Sequence, residues 1–192
     1  MNTFKLHTEN TAPSPADEAL RQVRRGLGFI PNVFAVIAES APALQAFVDL
    51  NSHLANSTLT ATERELIQIA TSVENECRYC VAGHSAFAAM QDVANEVVDA
   101  ARSGGPIPDE RLDALHELTL ALLREKASID QTTIDAFFAA GYGPAQLLEV
   151  IIGISVKAFS NMANAAVGFP LDDEFAPYTW QPVPFQTNNA AK

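Results

Sequence analysis

Cys77-Arg78-Tyr79-Cys80, with His84 four positions on, is the stretch of this chain equipped for chemistry. These are the only two cysteines in 192 residues. On a helix, successive residues turn by about 100°, so Cys77, Cys80 and His84 fall within about 60° of one another on one face. Two thiols three apart, backed by a base one turn on, suit reversible dithiol–disulfide chemistry, because the pair oxidises without large backbone movement.

The thiolate is the nucleophile, and a free thiol is mostly protonated at neutral pH. Two features lower a thiol pKa here. Asn75 is placed to cap the helix, which sets Cys77 in the first turn, where the helix dipole favours an anion. His84 is placed to accept the proton of Cys80, directly or through a water. Glu65, in the preceding helical segment, can fold back across Glu74-Asn75-Glu76 to orient or charge that imidazole. A thiolate would attack a peroxide O–O bond to give a sulfenic acid, and the neighbouring thiol would condense with it to a disulfide. A reductant would then reset the pair by exchange. This chemistry expects both sulfurs and the imidazole to meet in a small solvent-reachable hollow. Two other readings stay open: inert buried cysteines, or a metal site in which Glu65 completes Cys77, Cys80 and His84.

The elements that must position these residues read as helices throughout. Ser14-Pro15-Ala16-Asp17 starts the first, with Ser14 as cap, and Gly26-Leu27-Gly28 ends it. Residues 31–38 form a short apolar helix, and Ser40-Ala41-Pro42 opens one running to about Asn56. Thr60-Ala61-Thr62-Glu63 has the form of a capping box. The Cys helix runs from Asn75 to about Gln91, followed by 93–103. Residues 109–126 carry a leucine stripe, Asp130 caps a helix ending at Gly141, and Pro144 begins a long apolar one. Past Pro170 the chain turns irregular, and its aromatic tail is expected to pack over its own bundle or a neighbouring subunit. The expectation is one all-α domain over residues 1–192, with a core of about 14–169 and an irregular tail over 170–192.

A net charge of −11 argues against nucleic acid or an anionic membrane surface as the main partner. The N-terminus has no apolar core of a signal peptide. The apolar run from Ala145 to Phe169 is broken by Glu149, Lys157, Asn161 and Asn164, and so reads as a buried helix rather than a membrane span. A cytoplasmic protein is expected, in which a reducing milieu leaves cysteines to catalysis or metal. No Gly-rich phosphate loop follows a strand, and the dithiol can carry the electrons, so no flavin, nucleotide or metal cofactor is expected. His53 and His116 read as surface or interhelix polar residues. Asn161 and Asn164 read as satisfying polar groups in a packed interface.

Glu65 together with Glu74-Asn75-Glu76-Cys77-Arg78-Tyr79-Cys80-Val81-Ala82-Gly83-His84 resembles the signature of the alkylhydroperoxidase D-like proteins of the carboxymuconolactone decarboxylase superfamily. Leu27 to Phe34 and Thr60 to Leu66 resemble its peroxidase-related subgroup, and the likeness spans roughly Gly26 to Phe169. It implies an alkylhydroperoxidase D-like helical bundle that forms homo-oligomers. It implies Cys80 as the peroxide-attacking thiol, Cys77 as the resolving one, His84 as base and Glu65 in a water-linked proton relay. The substrate would be hydrogen peroxide or a small organic hydroperoxide, and the reductant an unidentified dithiol. Tyr79 stands where the best-understood alkylhydroperoxidase has a histidine. A phenol titrates near 10 and is a poor base, but can donate a hydrogen bond to a peroxide oxygen. The alternatives are a lyase acting on a lactone acid and a redox-sensing module whose disulfide switches packing without turnover.

Overall fold

Short-range signals start the helices of the computed structural model, which describes residues 4–125 and 128–182. Ser40 accepts from the Ala43 amide at the head of one helix, Asp109 from Leu112 and Asp130 from Thr132 at the heads of two others. At Thr60 the capping box is complete: Thr60 N–H donates to Glu63 Oε2 at 2.7 Å, and Glu63 N–H to Thr60 Oγ1 at 3.3 Å. Gly28, Gly104 and Gly168 end helices in left-handed backbone, which glycine adopts without strain. The first helix departs from expectation: its cap position is Pro15, not Ser14, and no side chain caps it.

The resulting order is α1 (Ala16–Leu27), α2 (Asn32–Ile37), α3 (Ala41–Ala55), α4 (Ala61–Glu74), α5 (Arg78–Met90), α6 (Asn95–Ser103), α7 (Glu110–Arg124), α8 (Gln131–Ala139) and α9 (Pro144–Val167). A 3-10 turn, Asp173–Tyr178, follows. The described residues contain no strand. The expected end of α7 at Lys126 lies outside them, as do Met1 to Thr3 and residues 183–192 of the expected tail.

α4 is the axis of the bundle, packed by α5, α6, α7 and α9. Nine of its 14 residues are buried, polar ones included. Its Thr71 and Ser72 hydroxyls turn back onto the carbonyls of Ile67 and Gln68, which removes their need for water. α9 has the length and hydropathy of a membrane span. It nonetheless packs on α3, α4, α5 and α7, and its Lys157, Ser160 and Asn161 are buried in the bundle. The approach to α4 is close at Gly153, where an added Cβ would lie 2.9 Å from Ile67 Cγ2. Gly153→Ala is expected to cost about 1–3 kcal/mol by overpacking, read as a fall in the denaturation midpoint with unchanged slope.

The C-terminal segment, as far as residue 182, packs over its own bundle. Phe175 is buried among the rings of Phe29, Tyr79 and Phe87. Arg102 donates to the carbonyls of Tyr178 and Thr179, and the Trp180 indole donates back to the Arg102 carbonyl.

Candidate active site

The turn between α4 and α5 assembles the site. Glu76 takes φ +52°, and the Cys77 amide returns to the Ser72 carbonyl at 2.9 Å. The reversal lays α5 along α4 and brings Glu65 beside His84, whose Nδ1 lies 2.8 Å from Glu65 Oε2. The Gln91 amide donates to the other oxygen, Oε1, at 2.9 Å. A carboxylate can only accept, so Nδ1 carries the proton and Nε2 is left with its lone pair. Burial pushes the imidazole below its usual pKa, and the Lys157 charge adds to this against the opposing pull of Glu65. His84 is therefore neutral at pH 7 and able to act as a base.

The turn also corrects an expectation. Asn75 does not cap α5; it ends α4, and its side-chain amide donates to Asn161 Oδ1 at 2.9 Å. Cys77 is itself the cap residue, its carbonyl accepting from Val81. Cys80 thus stands at the third helical position, within the field of the helix N-terminus. Both cysteines are reduced thiols and both are buried. The Cys77 thiol hydrogen-bonds Cys80, which pushes the Cys80 thiol down and that of Cys77 up.

α9 supplies the rest of the sulfur environment. Lys157, Ser160, Asn161 and Asn164 are spaced i, i+3, i+4 and i+7 and form one stripe. Asn164 Nδ2 donates to Cys77 Sγ at 3.5 Å. The Ser160 hydroxyl and the Asn161 amide, whose Nδ2 has no other partner among the described residues, favour the Cys80 thiolate, as does the Lys157 charge. Asn161 and Asn164 therefore serve the dithiol and the turn of their own chain. In the sequence Lys157, Asn161 and Asn164 appear as breaks in an apolar run, and the two asparagines as polar groups of a packed interface. Their helical spacing was the signal that one polar face was being held against something specific.

A cavity of about 520 Å³ opens beside this cluster. Phe34, Phe47, Leu54 and Phe87 give it apolar walls, while Glu65, Gln68, His84 and Lys157 are among its polar residues, together with Arg64. Neither sulfur borders it, and Cys77 and Cys80 are only 5% and 3% exposed. The expected hollow therefore holds the imidazole and the carboxylate but not the thiols. The physical reason is that α5 turns its cysteine face against α9. Lys157 lines the cavity and also acts on both sulfurs.

Tyr79 lies elsewhere. Its hydroxyl donates to Asp172 Oδ2 at 2.6 Å and accepts from the Val33 amide at 3.1 Å, and it does not border this cavity. With Asn32 N–H donating to Asp172 Oδ1, it ties α2 and α5 to the C-terminal segment. Tyr79→Phe strands the buried Val33 amide and is expected to cost about 1–3 kcal/mol in chemical denaturation. His53 is exposed, whereas His116 is fully buried with Nδ1 unpartnered among the described residues. Among the described residues, ligand-bearing side chains gather tightly only at Asp113, His116 and Glu117 of α7, so Cys77, Cys80, His84 and Glu65 do not form a ready metal cage.

Fold and site together define an all-α protein with a dithiol embedded between two helices and a histidine–carboxylate pair on a neighbouring cavity. Residues 41–107, which include Glu65, both cysteines and His84, match the carboxymuconolactone decarboxylase family. Three solved structures share the fold. A peroxidase-related protein with an alkylhydroperoxidase AhpD core, from Ralstonia eutropha JMP134, is 24% identical with a TM-score of 0.79, over 90% of this chain and 93% of that one. A peroxidase-related protein from Silicibacter sp. TM1040 is 19% identical with a TM-score of 0.77, over 90% and 92%. A cysteine-to-alanine variant of the debrominase Bmp8, in complex with 2,3,4-tribromopyrrole, is 20% identical with a TM-score of 0.73, over 93% and 97%. No protein of curated function matches the chain. In the matched segment the chain is similar to the carboxymuconolactone decarboxylase family, and its fold is that of the alkylhydroperoxidase AhpD core.

Proposed function

We propose that this protein is a thiol peroxidase that reduces small organic hydroperoxides through a Cys77–Cys80 dithiol cycle. The observation that carries this reading is a Cys80 thiol held toward its anion by Cys77, Lys157, Ser160 and Asn161, one turn from a neutral His84 fixed by Glu65. His84 Nε2 takes the Cys80 proton, directly or through a water. The thiolate attacks the hydroperoxide O–O bond, leaving Cys80 as a sulfenic acid and the alcohol as product. Cys77 condenses with that sulfenic acid, releasing water and forming the disulfide. A dithiol reductant restores both thiols. No metal, flavin or nucleotide enters this cycle. Neither sulfur borders the cavity, so turnover includes displacement of a side chain at its wall. On the same reading the chain is cytoplasmic and forms homo-oligomers through the exposed apolar residues of α9, Leu148, Ile151 and Met162.

The cavity favours an organic substrate over hydrogen peroxide, because its volume and aromatic walls suit a ring or a branched alkyl group. The same features support a second reading, reductive removal of halide from a small aromatic ring, the class of reaction in the name of the debrominase. The test is consumption of tert-butyl hydroperoxide, hydrogen peroxide, a bromopyrrole and a muconolactone with dithiothreitol as electron donor. Many equivalents of hydroperoxide consumed per chain support the peroxidase. A halt after one equivalent makes the pair a redox sensor, and turnover confined to the bromopyrrole or the lactone moves the assignment to that chemistry.

A further inference from the structure

Lys157 favours the Cys80 thiolate in the dithiol cycle, but its position on the cavity asks for a second function. It is 4% exposed, and no carboxylate pairs with it among the described residues. Burying an ammonium without a counter-charge is costly, so such a lysine persists where something else needs it. Its stem comes from α9, one turn before Ser160 and Asn161, and so stands on the stripe that faces the sulfurs. It also lines the cavity, on whose polar side the Gln68 carboxamide oxygen is buried and without a donor among the described residues. A buried lysine and a residue with an unfilled acceptor thus both line the space where a substrate would sit. A hydroperoxide offers the complements, an O–H to donate and oxygens to accept.

We propose that Lys157 is the proton donor to the departing oxygen when Cys80 attacks a hydroperoxide. This rests on the thiol-peroxidase reading. As the Cys80 sulfur bonds to the terminal oxygen, the O–O bond breaks and its electron pair leaves with the alkoxide. The Lys157 ammonium gives a proton to that oxygen, so an alcohol departs and a neutral amine remains. The proton that His84 took from Cys80 then returns to the amine through water. The sum is one thiol and one hydroperoxide converted to one sulfenic acid and one alcohol. Gln68 holds the hydroperoxide O–H before attack.

The charges that face Lys157 are few. Cys77, Cys80 and His84 approach from the α5 side, and Glu65 from α4. α2, α3 and α7 also pack on α9 but contribute no charge that acts on it. With the three sulfur and imidazole groups protonated or neutral, Glu65 is the nearest standing negative charge, and it is already shared between His84 and Gln91. The thiolate of Cys80 is what completes the balance, which ties the lysine to the reacting form of the site.

The test uses leaving groups of different basicity. tert-Butyl alkoxide needs a proton as it departs, whereas the acetate released from peracetic acid does not. Lys157→Met is expected to lower turnover of tert-butyl hydroperoxide by about a hundredfold or more, and that of peracetic acid by less than about tenfold. In parallel, the pH profile of Cys80 alkylation by iodoacetamide, located by peptide mass spectrometry, is expected to move to higher pH. Lys157→Arg keeps the charge but not a transferable proton. It should retain the alkylation profile while losing the alkyl hydroperoxide reaction, and it serves equally if the methionine variant does not fold. Equal losses on the two peroxides, or an unmoved alkylation profile in Lys157→Met, overturn the proposal. A wild-type chain that consumes neither peroxide sinks the peroxidase reading and the leaving-group role with it. The alkylation profile then still decides whether Lys157 holds the Cys80 thiolate.

Discussion

Cys80→Ser is expected to lower hydroperoxide turnover by at least about a thousandfold, the scale on which loss of an activated nucleophile is felt. Cys77→Ser is expected to behave differently, consuming one equivalent per chain and stopping at a sulfenic acid that a sulfenic-acid trap captures. The asymmetry follows from the surroundings of the two sulfurs. Cys80 stands inside the first turn of α5 and receives the Cys77 thiol, the Ser160 hydroxyl, the Asn161 amide and the Lys157 charge, all of which favour its anion. Cys77 receives the Asn164 amide, but its hydrogen bond with the adjoining Cys80, and then burial, push its thiol up. One thiol is thus prepared to attack and the other to remain protonated until it is needed. Serine is nearly isosteric at a buried site, so both variants should fold, and circular dichroism controls for it. Peptide mass spectrometry after peroxide treatment reads the site of oxidation. Equal turnover by Cys80→Ser and the wild type removes Cys80 from the chemistry, and trapping of a sulfenic acid on Cys77 in the wild type reverses the two roles.

The parts of this site that were legible in the sequence are those set by short spacing. Thr60 and Glu63 announce α4 because a capping box is a three-residue event. The reach of Glu65 to His84 was foreseeable, because two helices joined by a short turn must lie side by side. Where partners come from far along the chain, the sequence was silent. Asn75 has the residue type of a cap, but its amide is taken by Asn161, 86 residues on, and Cys77 caps the helix instead. Tyr79 sits between the cysteines and so looked like a pocket residue, yet its hydroxyl is held by Asp172, 93 residues on. Lys157, Ser160, Asn161 and Asn164 show a helical period in the sequence, but nothing local says that the face they share covers two sulfurs. The same ignorance of α9 explains why the thiols were expected to border the cavity. The segment is apolar enough to read as core, and the side of α5 it would cover cannot be told from its period.

Loss of the imidazole should come next in size. His84→Ala is expected to lower kcat/KM for tert-butyl hydroperoxide by about 10²–10⁴-fold, the span of a general base. The pH dependence distinguishes a base from a packing residue. Burial and the Lys157 charge hold the His84 pKa below the usual imidazole value, so the ring remains an acceptor as the pH falls through about 6.5. The acidic limb of wild-type kcat/KM should therefore lie below that value. Glu65 is the group that pulls the other way, both by charge and by its hydrogen bond. Glu65→Gln removes that pull, lowers the imidazole pKa further and makes it a weaker acceptor. The limb should move to lower pH while the plateau rate drops, a pairing that simple damage to the fold does not produce. Folding obeys the same sign. A ring whose pKa is lower in the folded chain than in the unfolded one refuses a proton that the unfolded chain accepts, so stability is lost as pH falls below about 6.5. His84 and the buried His116 both contribute to that loss. Denaturation midpoints measured between pH 8 and pH 5 should fall toward acid, and less steeply in His84→Ala than in the wild type. An acidic limb that stays in place in Glu65→Gln would show that the proton passes through some other group.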